Sequence, residues 1–302
     1  MPAGLLGIEE LDRGEIEAIL TRAKDYQPMQ DHAFKRLDIL RGRMIVSLFF
    51  EASTRTRTSF EIAARRLGAD AISITAAGSS LSKGESLVDT LNTLVAMRPN
   101  AVVMRHSASG APHFLARHLP IPIINAGDGT HEHPTQALLD ARTILDFKPS
   151  LEGLRVAIIG DIAHSRVARS NIHLLAKFGA DIVLCGPASL VPRELAEIAP
   201  GVRISYDMAE AIRDVDVIMM LRVQLERQHE ASFPAGEYYQ YYGLRLEHLD
   251  LARPNAIVMH PGPINRGREI SSEVADSQRS VILNQVENGV AVRMAVLERI
   301  LA

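Results

Sequence analysis

The feature that most limits what this chain can fold into is a rhythm repeated along its length. A short run of apolar, largely β-branched residues is followed by a loop rich in Gly, Ser or His, then by a segment with helical spacing. Parallel strands joined by covering helices produce this pattern, because strands buried on both faces lose the apolar–polar alternation of a half-exposed sheet. Residues 44–50, 71–75, 101–104 and 121–125 are the candidate strands of one sheet. Residues 155–159, 181–184, 203–205, 217–221 and 256–259 form a second set. Between them a helical stretch starts at Pro134, a residue suited to a first helical turn, and Lys148-Pro149-Ser150 ends it after Phe147. Near the end of the chain Val286, Val290, Met294, Leu297 and Leu301 recur three or four apart, which reads as the core face of an amphipathic helix. The expectation is an α/β protein of two domains, each a parallel sheet flanked by helices, joined by a bridging helix. The boundaries fall at 1–134, 135–149 and 150–285, and 302 residues suffice for two cores.

Several function classes are disfavoured at once. A formal net charge of −3 gives no basic excess for phosphate-backbone contacts, so nucleic acid is not an expected partner. The apolar runs, such as Val217-Ile218-Met219-Met220-Leu221, are strand-sized and far short of a bilayer span, and the first residues carry no basic segment followed by a long apolar one. No membrane partner is expected. One cysteine, Cys185, excludes an internal disulfide framework and suits the cytoplasm; after Ile182-Val183-Leu184 it reads as a small buried hydrophobe.

Ligands of open parallel sheets gather outside the carboxyl ends of the strands. There the first strand runs into Glu51-Ala52-Ser53-Thr54-Arg55-Thr56-Arg57, which enters a helix whose apolar stripe is Phe60, Ala63, Ala64 and Leu67. Ser53 is the candidate N-cap. A helix N-terminus offers unpaired N–H groups and partial positive charge, and neighbouring hydroxyls with Arg55 complete a cradle for a tetrahedral anion. The bland alternative is ordinary capping with Arg55 and Arg57 in solvent. A given five-residue string arises by chance in a chain of this length about once in ten thousand sequences, and Ser-Thr-Arg-Thr-Arg is such a string.

The chain resembles the aspartate/ornithine carbamoyltransferase family, whose carbamoyl phosphate site is built on that string, and further segments match in order over nearly the whole length. The resemblance implies that Ser53, Thr54, Arg55, Thr56, Arg105, His133, Gln136 and Pro263 bind carbamoyl phosphate, with Arg55, Thr56, Arg105 and His133 acting in catalysis. Residues 78–87, with Ser80 and Lys83, look like the family's mobile loop, which completes the site of a neighbouring subunit; a homotrimer with shared sites follows from it. The resemblance also implies that the terminal helix, residues 286–302, docks back on the N-terminal domain. His131-Glu132-His133 alone has the look of a metal motif, but no further ligand cluster lies at suitable spacing and no zincin signature surrounds it. No metal and no cofactor are expected.

In the second half, the turn after residues 155–159 holds Gly160 alone of the three glycines a dinucleotide site needs. By resemblance, Arg166 there binds an α-carboxylate, and Arg222 with Gln224 in Leu221-Arg222-Val223-Gln224 holds a β-carboxylate; Lys83, Gly262 and Pro263 complete the set. Arginine forks suit a dicarboxylate. Family members that act on ornithine carry a His-Cys-Leu-Pro type sequence and an Asp-x-x-x-Ser-Met-Gly motif, and this chain has Met259-His260-Pro261-Gly262-Pro263 and neither motif. The implied reaction moves the carbamoyl group to the α-amine of L-aspartate, the committed step of de novo pyrimidine synthesis, without a covalent intermediate. Two departures stand out: Ala52 where many relatives have proline, and Gly262 where a well-known form has leucine. Ornithine or an acylated ornithine as acceptor, or a non-catalytic phosphate-binding homologue, are the competing readings. Association with regulatory chains or a dihydroorotase is left open.

Overall fold

A computed structural model describes residues 4–27, 36–75, 86–223 and 235–302. The chain divides into two compact units, Met1–Arg142 with Val286–Ala302, and Thr143–Gln285.

Unit 1 begins with α1 (Arg13–Tyr26), whose start is fixed by a reciprocal pair: the Asp12 carboxylate accepts from the Glu15 N–H at 2.7 Å, and the Asp12 N–H donates to Glu15 Oε2 at 2.9 Å. Then follow β1 (Met44–Phe49), α2 (Thr54–Arg66), β2 (Asp70–Thr75), α3 (Leu87–Ala96), β3 (Ala101–His106), α4 (Ala111–His118), β4 (Ile123–Asp128) and α5 (Pro134–Phe147). The four strands are parallel in the order β2-β1-β3-β4. Leu48, Val102, Met104 and Ile123 of the sheet pack with Leu91 of α3 and Leu115 of α4. The edge strand β2 is only partly covered, whereas every residue of β4 is buried.

Helix α5 carries the chain into unit 2, which contains β5 (Arg155–Ile159), α6 (Arg166–Lys177), β6 (Asp181–Cys185), β7 (Val202–Ser205), α7 (Met208–Ala211), β8 (Val217–Met220), α8 (Ala235–Tyr242), α9 (Leu246–Leu249), β9 (Ile257–Met259) and α10 (Ser272–Ala275). Its five strands are also parallel, in the order β7-β6-β5-β8-β9. Ile159, Val183, Ile218, Met220 and Val258 meet Tyr238 and Tyr242 of α8 in the core. Cys185 closes β6, fully buried among apolar neighbours, and burial pushes its thiol up to about 12.

The final helix α11 (Ile282–Leu301) returns to unit 1. Glu298 accepts from Arg22 Nε at 2.6 Å and from the Tyr26 hydroxyl at 2.7 Å, and Gln27 Nε2 donates to Asn288 at 2.6 Å. The structure departs from the sequence expectations here: the helix starts before Val286, Val286 is 51% exposed, and Asn288 and Gly289 are buried in its place. From Ala291 to Leu297 every residue is buried, whereas Leu283, Asn284, Val286 and Glu287 are exposed, so α11 is amphipathic over its first turns and covered in its middle, with Met294, Leu297 and Leu301 buried as expected.

Candidate functional site

In both units the arginines expected in the site lie beside the point where the strand order reverses, and further groups follow the next strand outward. In unit 1 the chain moves from β1 outward to β2 and then crosses back to β3, so the carboxyl ends of β1 and β3 flank the switch point. After β1 come Glu51, Ala52 and Ser53, then α2. Ser53 occupies the N-cap position, yet its side chain makes no capping hydrogen bond, contrary to the role expected of it. Its carbonyl starts the helix instead, accepting from the Arg57 N–H at 3.2 Å. Thr54 and Arg55 are exposed, Ser53 is half-buried and Thr56 is buried. Hydroxyls, a guanidinium and a helix start thus share one turn, the donor set a phosphate needs.

Arg105 arrives from β3. It lies inside the strand rather than after it, because β3 pairs onward to β4 as far as His106. The pairing slips between Met104 and His106, so Arg105 sits at the irregularity, where a strand re-aims a side chain. The Phe50 N–H donates to the Arg105 carbonyl at 2.9 Å, which locks the end of β1 to β3. The guanidinium donates to the Ala126 carbonyl at 3.3 Å, and its Nε lies 3.3 Å from Glu51 Oε2, both side chains being largely buried. An anionic ligand at Arg105 must displace the Glu51 carboxylate or share the guanidinium with it. Beside it, the His106 ring packs edge-on to Phe50 at 4.7 Å, and burial lowers its pKa.

His133 and Gln136 come from the start of α5 and are both buried. The His133 carbonyl accepts from the Gln136 N–H at 2.9 Å, and Gln136 Nε2 donates one turn on to Asp140 at 2.9 Å, which fixes the carboxamide. Behind them Arg293 of α11 is buried; it donates to the Gly289 carbonyl at 3.0 Å, reaches Thr135 Oγ1 at 3.4 Å and lies over the Phe60 ring of α2. Burial pulls this guanidinium down to about 10, opposed by the Asp140 charge. The side chains of the 131–133 triplet diverge. His131 pairs with Asp128, and Glu132 turns inward to accept from the Ile8 and Glu9 N–H groups. His133 is buried at the start of α5.

In unit 2 the switch point lies between β5 and β8. Arg166 is the first residue of α6, after β5, and is buried; the Ser165 hydroxyl before it caps the helix by accepting from the Ala168 N–H at 3.2 Å. Arg222 follows β8 and is half-buried. The two loops touch at Gly160, where a Cβ would come within 2.9 Å of Leu221 Cβ, and where φ is +139°. The next strand, β9, delivers His260, Gly262 (φ +65°) and the exposed Pro263. His260 Nδ1 accepts from the Gly262 N–H at 2.8 Å, so in the neutral ring the proton sits on Nε2, 3.3 Å from Glu269 Oε1. Glu269 also accepts from the Asn265 N–H at 2.5 Å, and the His260 N–H donates to Gln285. Ser80, Lys83 and Gln224 lie outside the described residues.

Two family models match the chain end to end: the carbamoyl-phosphate-binding domain of aspartate/ornithine carbamoyltransferases over residues 4–146, and the aspartate/ornithine-binding domain over 152–300. The chain belongs to the aspartate/ornithine carbamoyltransferase family. Within the family it is 81% identical to the aspartate carbamoyltransferase catalytic subunit of Solibacter usitatus, covering 100% of both chains. A solved aspartate transcarbamoylase from Trypanosoma cruzi, in complex with N-(phosphonacetyl)-L-aspartic acid, matches with a TM-score of 0.90 at 32% identity over 100% of this chain and 96% of that one. The ornithine carbamoyltransferase of Pyrococcus furiosus matches almost as well, at a TM-score of 0.87 and 30% identity over 98% and 96%. The family fold therefore leaves the acceptor undecided, and side chains must discriminate.

Sequence reasoning missed the groups that contact the expected site residues and their loops. Asp140 was open to discovery, four residues from Gln136 on a helix. Glu51 and His260 lay inside motifs already singled out. Arg293 and Glu269 carried no local signal, since each acts through folding that the motifs do not encode.

Proposed function

We propose that this enzyme transfers the carbamoyl group of carbamoyl phosphate to the α-amino group of L-aspartate, giving N-carbamoyl-L-aspartate and phosphate. The observation that carries the reading is the matched pair of switch points: hydroxyls, Arg55 and Arg105 in unit 1, and two arginines, Arg166 and Arg222, on adjacent strand ends in unit 2. The first set suits a phosphate dianion. The second suits a dicarboxylate and repels the ammonium side chain of ornithine.

Unit 1, taken functionally as residues 1–134 with 286–302, binds carbamoyl phosphate through Ser53, Thr54, Arg55, Thr56, Arg105, His133 and Gln136. Residues 150–285 bind aspartate: Arg166 takes the α-carboxylate, Arg222 with Gln224 the β-carboxylate, and the Gly262 and Pro263 backbone the remaining polar groups. The neutral amine attacks the carbamoyl carbon. Thr56, Arg105 and His133 stabilise the oxyanion, the C–O bond to phosphate breaks, and the departing phosphate takes the amine proton. Positioning and electrostatic stabilisation supply the acceleration. Ser80 and Lys83 enter from a neighbouring copy, which makes the working form a trimer in the cytoplasm.

Incubating the purified protein with carbamoyl phosphate and either aspartate or ornithine, and measuring carbamoylated product, tests the reaction. Product with aspartate is expected, and product with ornithine alone overturns the reading. Sizing tests the trimer: a fully active monomer contradicts the shared site. Mixing two inactive variants, Lys83→Ala and Arg105→Ala, is expected to restore activity in hybrid trimers that combine two intact half-sites.

A further inference from the structure

One cluster of ligand-type side chains lies apart from the groups assigned above. His113, in the first turn of α4, Asp128, the last residue of β4, and His131, in the turn that follows, each offer a ligand atom, and these atoms all lie within 4.8 Å of one another. The two imidazole rings stand edge to face, 5.2 Å apart. We propose that His113, Asp128 and His131 form a divalent transition-metal site, fitted by its two imidazoles and one carboxylate to Zn²⁺.

Three features point beyond a chance meeting of polar groups. The Asp128 carboxylate is fully buried and held from several sides: Oδ2 accepts from the Gly110 N–H at 2.6 Å, while Oδ1 accepts from Asn125 Nδ2 at 2.8 Å and the Glu132 N–H at 3.1 Å. Such outer contacts orient a metal-binding carboxylate before the metal arrives. Next, His131 Nδ1 lies 3.1 Å from Asp128 Oδ2. Two ligands of a tetrahedral zinc at ordinary bond lengths stand about 3.3 Å apart, so the ion can replace the proton these atoms share with little movement.

The third feature is His113. Its Nε2 lies 2.9 Å from Glu10 Oε1, while its Nδ1 is buried and has no hydrogen-bond partner among the described residues. A metal-binding histidine has this form: one nitrogen bonded to a carboxylate, the other kept for the ion. Ordinary surface hydrogen bonding accounts for the His113–Glu10 and His131–Asp128 pairs but leaves His113 Nδ1 unexplained. Three protein ligands leave a fourth position for water. The ion would tie the start of α4 to the turn that precedes His133 and α5, and its role is a staple of unit 1 rather than a participant in carbamoyl transfer.

The test uses the full-length chain with any purification tag removed, stripped with a chelator and titrated with Zn²⁺ alone against a chromogenic competitor. One tight equivalent per chain is expected, together with a rise in Tm on adding Zn²⁺. Each of His113→Ala and His131→Ala is expected to weaken that equivalent by about 100-fold and to abolish the Tm rise, and Glu10→Gln to weaken it by about tenfold. His118→Ala, which removes an exposed histidine from the same helix, should leave both readouts unchanged. Circular dichroism establishes that each variant is folded, and asparagine in place of alanine provides a second form of either ligand variant. Absence of a tight equivalent in the parent chain overturns the proposal. So does an equivalent of the same affinity in folded variants at positions 113 and 131.

Discussion

Unit 1 draws most of its expected phosphate-binding groups from one short stretch, residues 53–56, yet it includes residues 286–302 from the far end of the chain. Unit 2 runs without interruption from 143 to 285, yet its expected acceptor groups come one or two at a time from the ends of β5, β8 and β9. The proposed ligands account for the difference. A phosphate is compact and is met by consecutive N–H groups and hydroxyls of one helix start, which a contiguous motif can supply. An amino dicarboxylate presents two anionic ends with a reacting amine between them, so its partners must stand apart on separate strands.

If that contrast is functional, unit 1 variants should damage chemistry and unit 2 variants should damage acceptor binding. The largest effect is expected from Arg105→Ala, which removes the proposed donor to the developing oxyanion: kcat should fall by about a hundred- to a thousandfold, with a smaller change in the KM for aspartate. Steady-state kinetics with each substrate varied in turn would measure it, and near-normal turnover breaks the assignment. Arg222→Ala should do the reverse, raising the KM for aspartate by about 100-fold while calorimetric binding of carbamoyl phosphate stays within a few-fold. Arg222→Lys keeps the charge but loses the two-pronged geometry, and should recover only part of the loss.

The same contrast explains what could be read in advance. The strand positions and α5 followed from apolar runs, proline and helical spacing, which are local signals. The proposed anion loop could be singled out because its residues are adjacent in sequence, and the structure places them at the start of α2. Arg105 was placed after a strand, since nothing in Val103-Met104-Arg105-His106 announces that β4 continues the pairing and slips register there. Apolar spacing placed Met294, Leu297 and Leu301 of α11 correctly in the core but misjudged its start, where Val286 is exposed. Asn288 is buried and meets Gln27, and the buried position 289 suits glycine because a side chain there would crowd Arg293 and Leu139. Neither position is apolar, and Gln27 and Leu139 are distant in sequence. In unit 2 the support for the 260–263 loop runs through Glu269 and Gln285, so the motif named the loop but not what shapes it.

That support offers a finer version of the comparison. His260→Ala removes the acceptor of the Gly262 N–H and leaves Glu269 without the imidazole beside it. It should raise the KM for aspartate by about tenfold, the scale of one lost buried hydrogen bond, with kcat less affected. An equal loss in carbamoyl phosphate affinity, or an unchanged KM in a folded variant, would remove His260 from the positioning role.

The smallest expected effect concerns the other half of the contrast, the dependence of unit 1 on the end of the chain. Glu298 anchors α11 to α1, and its pKa is lowered chiefly by the hydrogen bond from Arg22, with burial opposing and Tyr26 assisting. A carboxyl whose folded pKa lies below its unfolded value adds stability that is fully present above the unfolded value, near 4.5, and is lost as pH falls through the folded one. Arg22 is 42% exposed, so solvent screens the pair and Glu298→Gln should cost only about 1 kcal/mol at neutral pH. The deficit should shrink as the pH is lowered past 4.5 toward the folded value, because the parent then loses the same interaction. Hydrogen exchange locates the effect: amides of α1 and α11 should lose protection while those of β5, β6 and β8 keep theirs. If protection in those strands falls by the same amount, closure by the terminal helix is not particular to unit 1, and the contrast between an interrupted unit and a continuous one has no energetic meaning.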